Sequence, residues 1–336
     1  MSDTTQKNKS LPNKIKPEET GETPVIQVDH SPHLTNESFT TQRMMIDVLI
    51  ALLPVVGMSV YLFQLYAVKQ MLICLATCLA AEAIFIKMRN RSFTLSDCSA
   101  AATGIILGLS LPATAPWYVG MIASVVAIGI GKIIFGGLGM NLFNPAMVGR
   151  AFVMIAFAGV MAASGYESLH TGIDAITQAT PLNAFKQMGI STSLKDLFFG
   201  FTNGSPGETS ALACLIGGIY LCVRRTASWE IPAGIIAIVV IMGGLADIMG
   251  NASNWTVLHH LFSGSLLFGA FFIATDPVSS PLTAKGKFIF GAGIGFFIMV
   301  LRFFSGYPEG VMFAVLFMNA LTPLLNRWTI PVAMGE

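Results

Sequence analysis

One loop of this chain carries side chains that could be chemically modified. Residues 174–182 read Asp-Ala-Ile-Thr-Gln-Ala-Thr-Pro-Leu. The second threonine, Thr180, offers a hydroxyl that can be joined to a phosphate as a phosphoester if the loop is accessible. Pro181 biases the backbone of Thr180 towards an extended conformation, which presents the hydroxyl to a modifying enzyme. Taken alone, a Thr-Pro pair also fits a turn or the start of a helix.

The residues around Thr180 match a pattern for covalent flavin attachment. In the pattern Asp-x-x-(Ser/Thr)-Gly-Ala-Thr, a flavin transferase joins the phosphate of FMN to the last threonine. The chain matches at Asp174, Thr177, Ala179 and Thr180, and it departs at Gln178, where glycine is usual. The pattern predicts that Thr180 carries FMN, with an unmodified turn as the alternative.

A second group of chemically capable residues consists of carboxylates in or beside apolar runs. They are Asp47, Glu82, Asp97, Asp247, Asp276 and Glu309. A charge at membrane depth costs a few kcal/mol, so such a residue tends to be paired or functional. We predict an ion path that uses Asp276 and Asp97 first, and Glu82 and Asp247 after them. The alternative for each is favourable electrostatics at the end of a helix.

Other kinds of site are not indicated. The five cysteines contain no Cys-x-x-Cys pair, and the five histidines match no metal-ligand spacing. A dinucleotide fingerprint is also missing, so the chain is not expected to reduce NAD by itself. The formal net charge of +1 leaves no basic excess for binding nucleic acid.

The composition predicts the elements that must position these residues. Of the 336 residues, 54% are apolar and 11% charged, and the mean hydropathy is +0.69. A soluble globular protein has about 25% charged residues. We therefore predict an all-α polytopic membrane protein. About ten apolar runs follow one another at 44–65, 67–86, 98–112, 117–135, 146–163, 209–223, 230–247, 257–274, 286–304 and 310–325.

The order of these runs predicts two halves. Residues 44–163 would form a first five-helix repeat and residues 209–328 a second, with a flexible arm over 1–43 and a tail over 329–336. The third and eighth runs are short and interrupted, which points to inverted repeats with a site at their interface. Two ordinary short helices are the alternative. The long segment 164–208 connects the halves and carries the flavin motif.

The cations predict an orientation. With both termini in the cytoplasm and ten spans, fifteen of the nineteen lysines and arginines fall on the cytoplasmic side and four outside. Cytoplasmic loops carry such an excess. The loop with Thr180 would then lie outside.

A glycine-rich string precedes the fifth run. Residues 136–146 read Gly-Gly-Leu-Gly-Met-Asn-Leu-Phe-Asn-Pro-Ala. Its glycines could let the backbone approach a ligand or adopt positive φ. The other interpretation is a tight turn, after which Asn144 caps the next helix and Pro145 takes its first position.

Four strings in this order resemble RnfD of the Rnf complex and, more distantly, NqrB of the sodium-pumping NADH:quinone reductase. Besides the loop motif and the glycine string, residues 269–278 read Gly-Ala-Phe-Phe-Ile-Ala-Thr-Asp-Pro-Val and residues 306–311 read Gly-Tyr-Pro-Glu-Gly-Val. The resemblance covers residues 30–334. The length and the Gly-Gly-Leu-Gly form favour the Rnf member.

The resemblance implies a fold and a function. The fold would be urea-transporter-like, and the chain would relay electrons through covalent FMN while its complex couples ferredoxin:NAD oxidoreduction to Na⁺ or H⁺ transport. It also implies Rnf subunits A, B, C, E and G as partners, a flavin transferase for maturation, a second non-covalent flavin such as riboflavin, and a bacterial or archaeal cytoplasmic membrane. A small-solute channel or transporter, or a structural membrane protein without flavin, stays open as the alternative.

Overall fold

The computed structural model describes residues 27–28, 34–35, 40–89, 95–162, 165–166, 176–177, 180–249, 255–305 and 309–330. Asp174 and Ala179 lie outside these residues. The helices, numbered in chain order, are α1 Thr41–Met88, α2 Ser99–Ser110, α3 Trp117–Ile128, α4 Pro145–Ala156, α5 Ala158–Ala162, α6 Pro181–Met188, α7 Leu194–Phe199, α8 Ala211–Val223, α9 Glu230–Ile248, α10 Val257–Phe262, α11 Leu266–Phe268, α12 Ala284–Phe304 and α13 Val311–Thr329.

Minor elements complete the described chain. A 3₁₀ turn at Leu95–Asp97 precedes α2, and π-helical turns at Gly129–Ile133 and Gly269–Ile273 continue α3 and α11. Two short antiparallel ladders are present. One pairs β1 (Gln27–Val28) with β2 (Leu34–Thr35), and the other pairs β3 (Gly165–Tyr166) with β4 (Ile176–Thr177).

Four of the helices are long and apolar enough to cross a membrane by length and composition. They are α1, α9, α12 and α13. Shorter apolar helices include α2, α4 and α8, together with the stretch Trp117–Ile133. These helices confirm the predicted class of a helical membrane protein, and the chain is a multi-pass membrane protein. Ten spans in two inverted repeats stay a prediction.

Helix α1 contains a sharp break. Gln64 has φ 49° and ψ −132°, which divides the 48-residue element into stretches over 41–63 and 65–88. At about 1.5 Å per residue, each stretch measures roughly 35 Å, close to the thickness of a bilayer. The break lies at the end of the first apolar run of the sequence, just before the second run begins.

The third and eighth runs form short or interrupted helices. Helix α2 has 12 residues. In the eighth run, α10 ends at Phe262 and α11 begins at Leu266, with Gly264 between them at φ +67°. A left-handed conformation at this point favours glycine, because any side chain there would be strained.

The two halves share one core. Buried apolar residues from α1, α2, α3 and α4 cluster with those from α8, α9, α12 and α13. Small residues allow the helices to approach closely: a Cβ at Gly234 in α9 would lie 2.6 Å from the carbonyl oxygen of Phe288 in α12. Glycine has this role between membrane helices generally.

The end of the connecting segment is buried. Thr202 and residues 204–210 pack inside the protein, although the sequence placed residues up to 208 in an outer loop. The Gly207 N–H donates to the carbonyl of Leu109 at 2.8 Å, and the hydroxyl of Ser59 donates to the carbonyl of Pro206 at 2.7 Å. These bonds satisfy backbone groups that would otherwise be buried without partners.

Candidate functional site

Thr180 stands at the start of α6. Its φ of −61° and ψ of 155° are extended, as Pro181 predicts, and Pro181 occupies the first helical turn. The Thr180 hydroxyl accepts a hydrogen bond from the Asn183 N–H at 3.4 Å. The side chain is half-buried. The interpretation of Thr180 as the start of a helix is therefore confirmed, and flavin attachment to its hydroxyl stays a prediction. The side chain of Thr177 is not among the described groups.

Contacts with the second half hold α6 in place. Phe185 stacks on Trp255 with 4.4 Å between ring centroids. Lys186 donates to the carbonyl of Ser305 at the end of α12. Partial desolvation lowers the pKa of Lys186, because it disfavours the charged ammonium. The helix that begins at Thr180 is thus held by two contacts with the second half.

A cavity lies beside Thr180. It encloses about 310 Å³ including its open mouth. Its wall is formed by α6, by the buried coil 202–208, and by the break between α10 and α11. Two acids, Glu208 and Glu309, are among the residues that line it. We call this space the Thr180 cavity.

The carboxyl groups that line the Thr180 cavity bind one arginine. The Nη2 atom of Arg150 lies 2.9 Å from Glu208 Oε1 and 2.9 Å from Glu309 Oε2. The exposed fractions of these side chains are 8% for Arg150, 5% for Glu208 and 17% for Glu309. We call these three residues the Arg150 cluster. They come from α4, from the coil that precedes α8 and from the segment that leads into α13.

A second buried set lies within the first half. Lys132 Nζ lies 2.5 Å from Glu82 Oε1 and 2.6 Å from the hydroxyl of Ser99. The Ser99 hydroxyl in turn donates to Asp97 Oδ1 at 2.6 Å. The exposed fractions are 2% for Lys132 and 0% for Glu82. These four residues are called the Lys132 cluster.

The Lys132 cluster borders a larger cleft. This cleft encloses about 720 Å³ including its open mouth, and its lining includes Ser99, Lys132, Asn141 and Asp276. The Asp276 carboxylate accepts a hydrogen bond from the Ser279 hydroxyl at 2.9 Å and one from the Val278 N–H at 3.4 Å. We call it the Asp276 cleft.

The predicted ion-path residues separate into three situations. Glu82 and Asp97 meet in the Lys132 cluster, and Asp276 lies in the adjoining cleft. Asp97 also accepts from the Ser99 N–H at 2.9 Å at the start of α2, which agrees with the helix-end alternative. Asp247 lies at the end of α9, and it makes no ion pair with another described residue. Nor do the described residues contain a group of histidine, cysteine and carboxylate side chains that could hold a metal.

The glycine string adopts both of its predicted features. Gly136, Gly137 and Gly139 have φ of +127°, +114° and +91°. The Asn144 side chain accepts from the N–H groups of Ala146 and Met147, and Pro145 follows in the first turn of α4. The string therefore forms a turn and a helix cap.

Four buried charged residues were not predicted from the sequence. Lys132 and Arg150 were counted there as cytoplasmic cations, yet both are buried in ion pairs. Arg302 is buried as well: only 7% of it is exposed, and its Nη2 donates to the carbonyl of Ser263 at 2.8 Å. Glu208 lay in a polar segment that predicted a surface loop. The signal that could have found Arg150 is its place inside an apolar run.

Comparison with known proteins decides the family. Residues 27–335 match the model of the NQR2, RnfD, RnfE family. The chain belongs to this family. The resemblance predicted from the four strings is confirmed.

Relatives within the family are named as D subunits of oxidoreductase complexes. The chain is 41% identical over 308 residues to the D subunit of the Na(+)-translocating ferredoxin:NAD(+) oxidoreductase complex of Acetobacterium woodii, covering 90% of this chain and 93% of that protein. It is 37% identical to the D subunit of the proton-translocating ferredoxin:NAD(+) oxidoreductase complex of Clostridium ljungdahlii, covering 93% and 96%. It is 38% identical to the D subunit of the ion-translocating oxidoreductase complex of Halorhodospira halophila, covering 91% and 94%.

Proposed function

We propose that this chain is a membrane flavoprotein subunit of an Rnf-type complex. It would relay electrons in ferredoxin:NAD oxidoreduction coupled to movement of Na⁺ or H⁺, and it would act only within the complex. The observation that carries this proposal is the half-buried hydroxyl of Thr180 at the start of α6, within the flavin-attachment motif. The names of the relatives, which are D subunits of such complexes, support it.

The surroundings of Thr180 suit a phosphoester. The N-terminus of a helix has free N–H groups and a partial positive charge, both of which stabilise a phosphate anion. The Asn183 N–H already points at the Thr180 hydroxyl. FMN bound there would supply one- and two-electron redox chemistry, and this chain would fix its position through α6. Asp174, Thr177 and Ala179 would be read by the flavin transferase.

The membrane arrangement is a further part of the proposal. We propose ten spans in two inverted five-helix repeats in a bacterial or archaeal cytoplasmic membrane, with both termini in the cytoplasm and Thr180 outside. Leaving out the buried Lys132, Arg150 and Arg302, the remaining cations still divide thirteen to three in favour of the cytoplasmic side. The break in α1 and the interruption between α10 and α11 agree with this arrangement.

The Asp276 cleft is the candidate site for a second, non-covalent flavin. Its lining is mostly apolar with a few polar side chains, as in other ligand pockets. Within the described part of the chain, Asn141 Oδ1 is buried without a hydrogen-bond partner, although Asn141 Nδ2 donates to the Phe143 carbonyl at 3.2 Å. A ring N–H of riboflavin would satisfy this oxygen.

The ion path is proposed for the same region. Asp276, Asp97 and Glu82 lie in or beside the Asp276 cleft and the Lys132 cluster, and Asp247 is the outlying candidate. Other Rnf subunits, A, B, C, E and G, would complete the complex. An NqrB-type role in the sodium-pumping NADH:quinone reductase and a small-solute channel of the same fold are the rival functions.

The attachment of FMN can be tested on a denaturing gel. The chain is expressed with the flavin transferase, and membranes are illuminated after electrophoresis. We expect a fluorescent band at the mass of the chain, 35.8 kDa before modification, that disappears in Thr180→Val. Thr192→Val removes a hydroxyl from the same connecting segment and should leave the band intact. A wild-type band without fluorescence would refute flavin attachment and favour the channel or a flavin-free structural role.

A further inference from the structure

The Arg150 cluster brings two acids together on one base. Glu208 and Glu309 each place an oxygen 2.9 Å from the same nitrogen, Arg150 Nη2. The two carboxyl groups are therefore close neighbours on one cation. Two ionised carboxylates have only acceptors, so they repel each other and cannot share a hydrogen bond. One proton held between them turns the repulsion into a hydrogen bond, as in other buried carboxyl pairs.

The other charged and titratable neighbours form no ion pair with the two acids. Arg302 from α12 is a buried cation whose charge acts on both Glu208 and Glu309. Its guanidinium, however, donates to the carbonyls of His260 and Ser263. The other oxygen of Glu309 accepts from the Ser265 N–H at 2.7 Å. Cys214 faces Glu208 from α8, but its thiol donates to the Gly207 carbonyl. Arg150 is therefore the only cation among the described residues that forms an ion pair with either acid.

A small ligand has access to the acid pair. Glu208 and Glu309 line the Thr180 cavity, so their carboxyl groups are reached from the side of Thr180. Arg150 is nine-tenths buried, and its Nε has no hydrogen-bond partner among the described residues. The cavity itself is small and polar enough at Glu208 and Glu309 to suit water. Water in the cavity would carry protons to and from the acids.

We propose that Glu208 and Glu309 form a proton-binding site that holds one proton between them at neutral pH and exchanges it through the Thr180 cavity. Binding adds a proton to one carboxylate and changes no oxidation state. The proposal depends on the geometry of the cluster and not on FMN at Thr180. It gives the chain a titratable group that faces the cavity and lies apart from the Asp276 cleft.

Infrared difference spectroscopy on the intact complex in lipid nanodiscs tests the site. We expect a carbonyl band of a protonated carboxyl group at neutral pH that shifts in D₂O and disappears in both Glu208→Gln and Glu309→Gln. Glu82→Gln changes a buried glutamate that pairs one-to-one with Lys132 and should keep the band. A wild-type spectrum without the band, or a band that persists in both variants, overturns the proposal, and the wild-type result does not depend on how any variant folds.

Sodium is the competing ligand, and a second measurement separates it from the proton. The wild-type spectrum is recorded at constant pH in NaCl and in KCl. For a proton site we expect the same band in both salts. Loss of the band in NaCl alone would overturn the assignment to a proton and would identify a sodium site. Gel fluorescence measured in parallel reports FMN attachment, so failure of either proposal is seen separately.

Discussion

The Lys132 cluster and the Arg150 cluster are both buried, yet they are built differently. In the Lys132 cluster one ammonium contacts one carboxylate, and all four residues belong to the first half of the chain. In the Arg150 cluster one guanidinium contacts two acids that are 58 and 159 positions away in sequence. The second acid of the Lys132 cluster, Asp97, reaches the lysine only through the Ser99 hydroxyl. In the Arg150 cluster both acids contact the same guanidinium nitrogen, and they join both halves to the coil beside Thr180.

This difference should make the protonation of the Arg150 cluster the easier of the two to change. A buried ion pair whose charges cancel gains little from a change in protonation, and its removal as a unit is often tolerated. Two acids that contact one cation directly can take up or release a proton without losing that cation. We therefore expect the Arg150 cluster to respond to charge in the Thr180 cavity more than the Lys132–Glu82 pair does.

Removing the shared cation should have the largest effect on stability. Arg150→Met leaves two buried acids without an ion-pair partner, and breaking a buried pair costs about 3–5 kcal/mol. We expect a large drop in the thermal unfolding midpoint of the purified protein in detergent.

Arg224→Met is the matched control for this variant. Arg224 pairs with Asp47 at 3.2 Å, and although Asp47 is 9% exposed, the arginine is 39% exposed, so solvent screens this pair. Its contribution should lie nearer to the roughly 0–1 kcal/mol of exposed pairs than to that of a fully buried pair. Equal drops for Arg150→Met and Arg224→Met would mean that the Arg150 cluster contributes no more than a partly exposed pair.

Double substitutions compare the two clusters directly, with changes in stability smaller than that of Arg150→Met. Lys132→Met alone leaves Glu82 buried without its cation, but Lys132→Met with Glu82→Gln removes both charges and should recover most of the lost stability. Arg150→Met with Glu208→Gln should recover less, because Glu309 stays buried without its cation. Unfolding midpoints of the singles and doubles measure both couplings. Equal recovery in the two clusters would contradict the proposed difference between them.

Sequence alone predicted the parts of the site that depend on local chemistry. The extended backbone of Thr180 follows from Pro181, and the cap by Asn144 follows from its position before Pro145. The partners of Arg150 could not be predicted, because a pairing between distant segments depends on how the helices pack. The coil 202–210 was also missed: it is rich in glycine, serine and threonine, and its burial depends on bonds to Leu109 and Ser59.

The smallest effect on stability is expected at Asp276, where function should change instead. Its carboxylate is only half-buried and bonds to Val278 and Ser279 nearby, so Asp276→Asn keeps an acceptor there and should change stability by less than about 0.5 kcal/mol. If Asp276 is on the ion path, loss of its charge should reduce ion transport per electron in proteoliposomes, with flavin fluorescence unchanged. Asp196→Asn removes a carboxylate from the first turn of α7, outside the proposed ion path, and serves as the control. Transport that is unchanged in Asp276→Asn would make Asp276 a turn-forming residue, and the Arg150 cluster would then be the stronger candidate for charge movement.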